Sequence, residues 1–213
     1  MNLSEAPLRV FLARHGQSLL NLQERISGQA ETPLSDKGQE QARALCDVLR
    51  GEALTAIYAS SLGRTLQTAQ PTASHHGLEP AALDGLREIG LGVLEGRHVD
   101  ERDAEAAQLW SERTRDERAF QVPGGETYSD FDARVSASLD WILENSRGSV
   151  LIVGHRNTNA IILCRLLGQR NGAQDLNVKN KYLYAVDCGP DPAVSTIRLG
   201  GEFHGTVYQG LRT

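Results

Sequence analysis

Leu8-Arg9-Val10-Phe11-Leu12-Ala13-Arg14-His15-Gly16-Gln17-Ser18 is the stretch on which the reading of this chain turns. Leu8, Val10, Phe11, Leu12 and Ala13 make an apolar run too short for a helix and rich in strand formers, which predicts a buried strand. The run stops at Arg14-His15-Gly16. In an open α/β sheet, residues at the carboxyl end of a strand enter the crevice where ligands bind. Arginine there offers a rigid fork of donors for phosphate or carboxylate, and histidine offers a nitrogen nucleophile or a proton carrier. Gly16 allows the backbone to approach a ligand closely. Alone, the tripeptide fits a surface histidine and arginine at a loop entrance equally well.

Two further apolar runs end in the same way. Leu54 to Ser60 reads as a strand leading into Ser60-Ser61-Leu62-Gly63-Arg64-Thr65, and Ser149 to Val153 as one leading into Gly154-His155-Arg156-Asn157. Between them lie helical patterns. Ala42, Leu45, Cys46 and Leu49 predict a helix from about Gly38 to Arg50, with Ser35 as a candidate N-cap. A second runs from Arg64 to about His75 and is broken by Gly77. Tyr128, Phe131, Val135, Leu139 and Ile142 predict a third over 127–146, and Ala160, Ile161, Leu163, Cys164 and Leu167 a fourth after His155. Tyr182 to Val186 and Val194 to Leu199 read as two more strands near the sheet edge; the glycine-rich tail from Gly200 shows no pattern.

Strands alternating with helices predict an α/β fold, a three-layer α/β/α sandwich with a mostly parallel sheet. A length of 213 residues suits a single domain over 1–213, with 90–126 as a cap insertion. The mixed charges of 95–118 predict a solvated helix within it.

Composition narrows the function classes. Hydrophobic content of 40% and charged content of 23% are ordinary for a globular protein, and the net charge of −5 argues against nucleic acid or an anionic membrane as a partner. An anion site must then be a local positive cluster. No window reaches the roughly 18 apolar residues of a membrane span. The first seven residues lack the basic and apolar regions of a signal peptide. Cys46, Cys164 and Cys188 are odd in number and widely spaced, which fits reduced core thiols and a cytoplasmic location.

Arg14-His15, Arg64 and His155 can converge only if their three strands lie side by side. The result would be a small anion pocket containing a nucleophile, with arginine forks that stabilise phosphoryl oxygens most strongly in the transition state. Arg14-His15-Gly16-Gln17-Ser18 with Asn21 resembles the signature of the histidine phosphatase superfamily, which includes cofactor-dependent phosphoglycerate mutases and many phosphatases. The resemblance continues through Pro33-Leu34-Ser35 and Gly38, Ser60-Ser61 with Arg64-Thr65, and Gln67-Thr68-Ala69. It extends through Glu88, Gly92, Glu95-Gly96, Pro123-Gly124-Gly125-Glu126 and Val153-Gly154-His155. In family order these cover roughly residues 8–165.

The resemblance implies that His15 attacks phosphorus and becomes a phosphohistidine. Arg14, Arg64 and His155 would hold the phosphoryl oxygens, with Asn21 as a further donor. Glu88 would protonate the leaving oxygen and then take a proton from the attacking water. A carboxyl group can do this near pH 7 when burial or an adjacent anion favours its protonated form. Gly16, Gln17, Arg156 and Asn157 complete the candidate substrate-binding set. The family needs no metal, and no cofactor is implied.

Two departures from the family bear on the reaction. After His155 the family often has a small residue, whereas Arg156 adds a positive charge that either meets a second anionic group on the substrate or points to solvent. The segment after Glu88 lacks the Arg-His-Tyr-Gly run of the mutases, and the chain is shorter than theirs. Both favour hydrolysis of a small phosphomonoester, such as a sugar phosphate or phosphorylated acid. The alternatives are a 2,3-bisphosphoglycerate-dependent phosphoglycerate mutase and a non-catalytic phospholigand-binding protein. A strand near the sheet edge leaves a homodimer open.

Overall fold

The computed structural model describes residues 8–169, 173 and 176–213. The N-terminal segment read above for a targeting signal lies outside the described residues. Among the described residues seven strands form one sheet: β1 (Arg9–Arg14), β2 (Leu54–Ser60), β3 (Ala81–Leu83), β4 (Ser149–Gly154), β5 (Tyr182–Asp187), β6 (Ala193–Arg198) and β7 (Val207–Gln209). Their spatial order is β3-β2-β4-β1-β5-β6-β7. The half from β3 to β1 is parallel, and from β5 outward the pairing is antiparallel.

Among the described residues six α-helices accompany the sheet: α1 (Leu19–Leu22), α2 (Asp36–Leu49), α3 (Gly63–His76), α4 (Ala104–Arg115), α5 (Tyr128–Asn145) and α6 (Arg156–Leu166). The central strands are apolar on both faces because helices cover both. Along β1, Val10 and Leu12 face the layer that includes α5 and α6, while Phe11 and Ala13 face the layer that includes α2 and α3. On β4, Val150 and Ile152 divide from Leu151 and Val153 in the same way. Each fully buried Val, Leu, Ile or Phe in this layer contributes roughly 1.5–3 kcal/mol.

Local signals set the helix starts. Ser35 caps α2 by accepting from Gly38 N, and Thr127 caps α5 by accepting from Asp130 N. Gly77, in the left-handed conformation, ends α3. The charged segment does contain a helix, α4, whose Ala106 and Arg113 are buried while the rest is mostly solvated.

Three short elements escape the sequence pattern: α1, β3 and β7, the last lying in the glycine-rich tail and forming the sheet edge. Trp141 is 48% exposed on α5, edge-on to Tyr58. Among the described residues no helix is long and apolar enough to cross a membrane.

Candidate active site

β2, β4 and β1 are adjacent and parallel, so their carboxyl ends lie together. Arg14 pairs with Gly154 across the ladder, and His15 N donates to Gly154 O at 3.0 Å. This brings the two histidines together, with ring centroids 5.1 Å apart.

His15 is only 3% exposed. Its Nδ1 lies 2.7 Å from Gly16 O. A carbonyl can only accept, so Nδ1 carries the proton and Nε2 keeps its lone pair. Burial, reinforced by the Arg14 and Arg64 charges, holds the imidazole pKa well below 6.5. The ring is therefore neutral and nucleophilic at pH 7. His155 has the opposite tautomer. Arg64 Nη2 donates to its Nδ1 at 3.3 Å, leaving Nε2–H to donate to Ser60 Oγ at 2.9 Å. Burial and then the Arg64 charge push its pKa well below 6.5 too.

The arginines are held by carbonyls rather than carboxylates. Arg64, 1% exposed, donates to Ala30 O at 2.9 Å and Gly28 O at 2.7 Å. Arg14 Nη1 donates to Val178 O at 3.2 Å. The Nε–H groups of both are buried and find no acceptor among the described residues. Burial lowers both guanidinium pKa values, and the nearby Glu88 opposes that shift. An oxyanion between them would meet two cations whose charge no direct ion pair among the described residues consumes.

Glu88 reaches the same place from the loop after β3. Its Oε1 accepts from Ile89 N at 3.0 Å and lies 3.5 Å from Thr158 Oγ1, while Oε2 accepts from Asn157 N at 3.2 Å. The carboxylate thus caps the first turn of α6, whose N-cap residue, His155, makes no side-chain cap of its own.

The remaining candidates divide. Arg156 is exposed at the first position of α6, and its charge acts on Arg14. Asn157 contributes its backbone N–H to Glu88. Gln17 turns its side chain to Ser35 Oγ, 2.9 Å away. Asn21 forms a capping box with Ser18 and donates to Ser27 Oγ at 3.3 Å. The space Gly16 needs is set by Gly38: a Cβ at Gly16 would sit 2.4 Å from Gly38 O. The close approach there is between two backbones, as well as any approach to a ligand.

Several partners had no role in the sequence reading. Ser60 orients His155, Thr68 Oγ1 accepts from Gly16 N at 3.0 Å, and Arg134 holds the Glu88 loop. Ser60 and Thr68 sit inside motifs noted above; Arg134 lies on a helix whose apolar stripe carries no sign of it. His75 and His76 bind the carbonyls of Arg50 and Leu49 at the end of α2, away from the pocket. A groove of about 720 Å³ between α5 and α6 is also apart from the histidines. Among the described residues no group of three His, Cys, Asp or Glu side chains is placed to hold a metal ion.

The "Probable phosphoglycerate mutase GpmB" of Yersinia pestis (strain Pestoides F) is 35% identical over 187 residues, covering 87% of each chain. The crystal structure of the alpha-ribazole phosphatase from Shigella flexneri superposes with a TM-score of 0.79 at 26% identity, covering 96% of this chain and 100% of that one. A phosphoglycerate mutase from Bacillus anthracis str. Sterne shares the fold, with a TM-score of 0.70 at 20% identity over 99% of this chain and 94% of its own. Residues 10–196 match the histidine phosphatase superfamily (branch 1). With that match spanning nearly the whole sheet and every strand end described above, the chain belongs to the histidine phosphatase superfamily.

Proposed function

We propose that the protein is a metal-independent phosphomonoesterase that works through a phosphohistidine on His15. The observation that carries this reading is the His15 tautomer: Nδ1–H is committed to Gly16 O, which leaves Nε2 beside two arginines that have no direct carboxylate partner among the described residues. Nε2 attacks phosphorus, and the P–O ester bond breaks as Glu88 delivers its proton to the departing oxygen. Arg14 and Arg64 hold the equatorial oxygens throughout, and His155 joins them by turning its Nε2–H from Ser60 Oγ to the phosphoryl group, where charge is most in need of stabilisation. Glu88, now a carboxylate, takes a proton from water as that water attacks phospho-His15. The P–N bond breaks, inorganic phosphate leaves, and Glu88 and His15 regain their starting states.

The substrate is a small phosphorylated metabolite, a sugar phosphate or phosphorylated acid. The exposed Arg156 supplies a cation for a second anionic or strongly polar group on it. Segment 90–126 acts as the cap. Its backbone exchanges hydrogen bonds with Ile26, through Gly96 N and Arg97 O, next to the Gly28 and Ala30 carbonyls that hold Arg64. The second reading, a phosphoglycerate mutase, is favoured by the name of the Yersinia relative.

Hydrolysis of p-nitrophenyl phosphate with EDTA present tests the reading. Wild type turns over, and His15→Ala loses on the order of 10⁴-fold or more, as removal of a covalent nucleophile does. Arg156→Ala raises KM for a bisphosphorylated or carboxylated substrate and leaves p-nitrophenyl phosphate little changed. An inactive wild type that instead interconverts 2- and 3-phosphoglycerate with 2,3-bisphosphoglycerate would establish the mutase.

A further inference from the structure

The carboxyl group of Glu88 projects from a loop whose back is held by one residue, Arg134 of α5. All five N–H donors of its guanidinium are used. Nη1 donates to Gly85 O at 3.0 Å and Arg87 O at 2.8 Å, and Nη2 donates to Glu88 O at 2.9 Å. The other two complete a bidentate pair with Glu126, from Nε to Oε1 at 2.6 Å and from Nη2 to Oε2 at 2.7 Å. Three carbonyls from a four-residue stretch thus point at one rigid plane.

Glu126 also holds the far end of the loop. Its Oε2 accepts from Gly90 N at 3.2 Å, and its own N–H donates to Gly90 O at 2.9 Å. Residues 85–90 are therefore pinned at both ends by a single ion pair. The loop also lies hard against α5, since a Cβ at Gly85 would sit 1.9 Å from Ser138 Oγ. Gln29 Nε2, at 3.0 Å from Glu88 O, and Thr158 Oγ1, at 3.1 Å from Arg87 O, fix the same two carbonyls from the pocket side.

We infer that Arg134 and Glu126 are positioning residues for proton transfer by Glu88: their ion pair sets the backbone from which the carboxyl group reaches the leaving oxygen. The inference rests on the proposed role of Glu88. Neither residue of the pair is placed to touch the phosphoryl group. Their effect should then appear chiefly in the step that needs the Glu88 proton, because misplacement of a proton donor by about an ångström can cost on the order of 100-fold. Lysine at 134 would keep the charge but could not satisfy five acceptors in one plane.

Leaving-group dependence reads this out. An alkyl phosphate such as glycerol phosphate releases a basic alkoxide that needs a proton. 2,4-Dinitrophenyl phosphate releases a weakly basic phenolate that does not. kcat/KM, which reports steps up to release of the first product, is measured for both esters on wild type, Arg134→Lys, Glu126→Gln and Glu88→Gln. Arg134→Lys and Glu126→Gln are expected to lose about 10- to 100-fold on the alkyl ester and less than about threefold on the dinitrophenyl ester. Glu88→Gln should show the same selectivity more strongly. If Glu88→Gln is selective but both clamp variants lose the two esters equally, or lose neither, the inference is overturned and the reading of Glu88 stands. If Glu88→Gln itself is unselective, the proton-donor reading fails and the inference falls with it. Glu126→Gln, nearly isosteric, serves as the decisive variant should Arg134→Lys lose its native circular dichroism.

Discussion

The arginines at the strand ends and those of the charged segment 95–118 show how one residue type serves two purposes. Arg97 meets Asp103 at 2.7 Å and Glu105 at 2.7 Å, and Arg102 pairs with Glu24 and Asp100. Hydrogen bonds to these carboxylates raise both guanidinium pKa values, and the Arg102 pairing lowers that of Asp100. Arg14 and Arg64 are instead fixed by carbonyl oxygens, which orient a guanidinium without neutralising it. Their pKa values fall, chiefly because they are buried. Charge is thus neutralised within the charged segment and left unneutralised at the strand ends.

Breaking the pocket side of this comparison has the largest effect. Arg64→Lys keeps a cation but cannot serve Gly28 O, Ala30 O and His155 Nδ1 in the same plane. kcat/KM for a phosphomonoester should fall about 10²- to 10³-fold. Unfolding in urea should show a loss of about 1–3 kcal/mol for each buried acceptor left unpaired. A Lys variant with near-wild-type kcat/KM would show that charge alone, without the fork, holds the phosphoryl group.

A pH series sharpens the comparison with an intermediate effect. His15 and His155 have folded pKa values below the unfolded value of 6.5. As pH falls through about 6.5 the unfolded chain binds protons that the folded one refuses, so stability present above that pH declines toward the folded values. The slope is at most about 1.4 kcal/mol per pH unit for each histidine. The urea midpoint should therefore drop between pH 7.5 and 5.5, and less steeply in His155→Gln; an equal slope in that variant would contradict the assignment. The same shift places the acid limb of kcat/KM that belongs to His15 below pH 6.5.

The smallest effect is expected in the cap. Arg102→Ala removes exposed, salt-screened pairs, and kcat/KM should stay within about twofold. A tenfold loss would mean that the cap cations also serve the substrate.

Much of this architecture is legible along the chain because it is local. β1, β2 and β4 announce themselves as apolar runs, α2 and α5 carry their own capping residues, and the family motifs fall on the strand ends. Two of the elements that escape, β7 and β3, lack a local cause. β7 is three residues held by pairing with β6, and β3 is three residues held by β2. Trp141 is apolar in character yet faces solvent, since the buried stripe of α5 passes through Phe131, Val135, Leu139 and Ile142 instead.

By itself, then, the sequence determined the layered α/β class, the family and the candidate residues proposed to bind and attack a phosphoryl group, because patterning and motif chemistry are properties of neighbouring residues. Only the tertiary structure decided that β2, β4 and β1 stand side by side, which imidazole nitrogen carries the proton, and that Arg134 and Glu126 hold the Glu88 loop. Those depend on hydrogen bonds between residues far apart in the chain, such as Arg134 to Gly85 and Arg64 to His155, which no local pattern encodes.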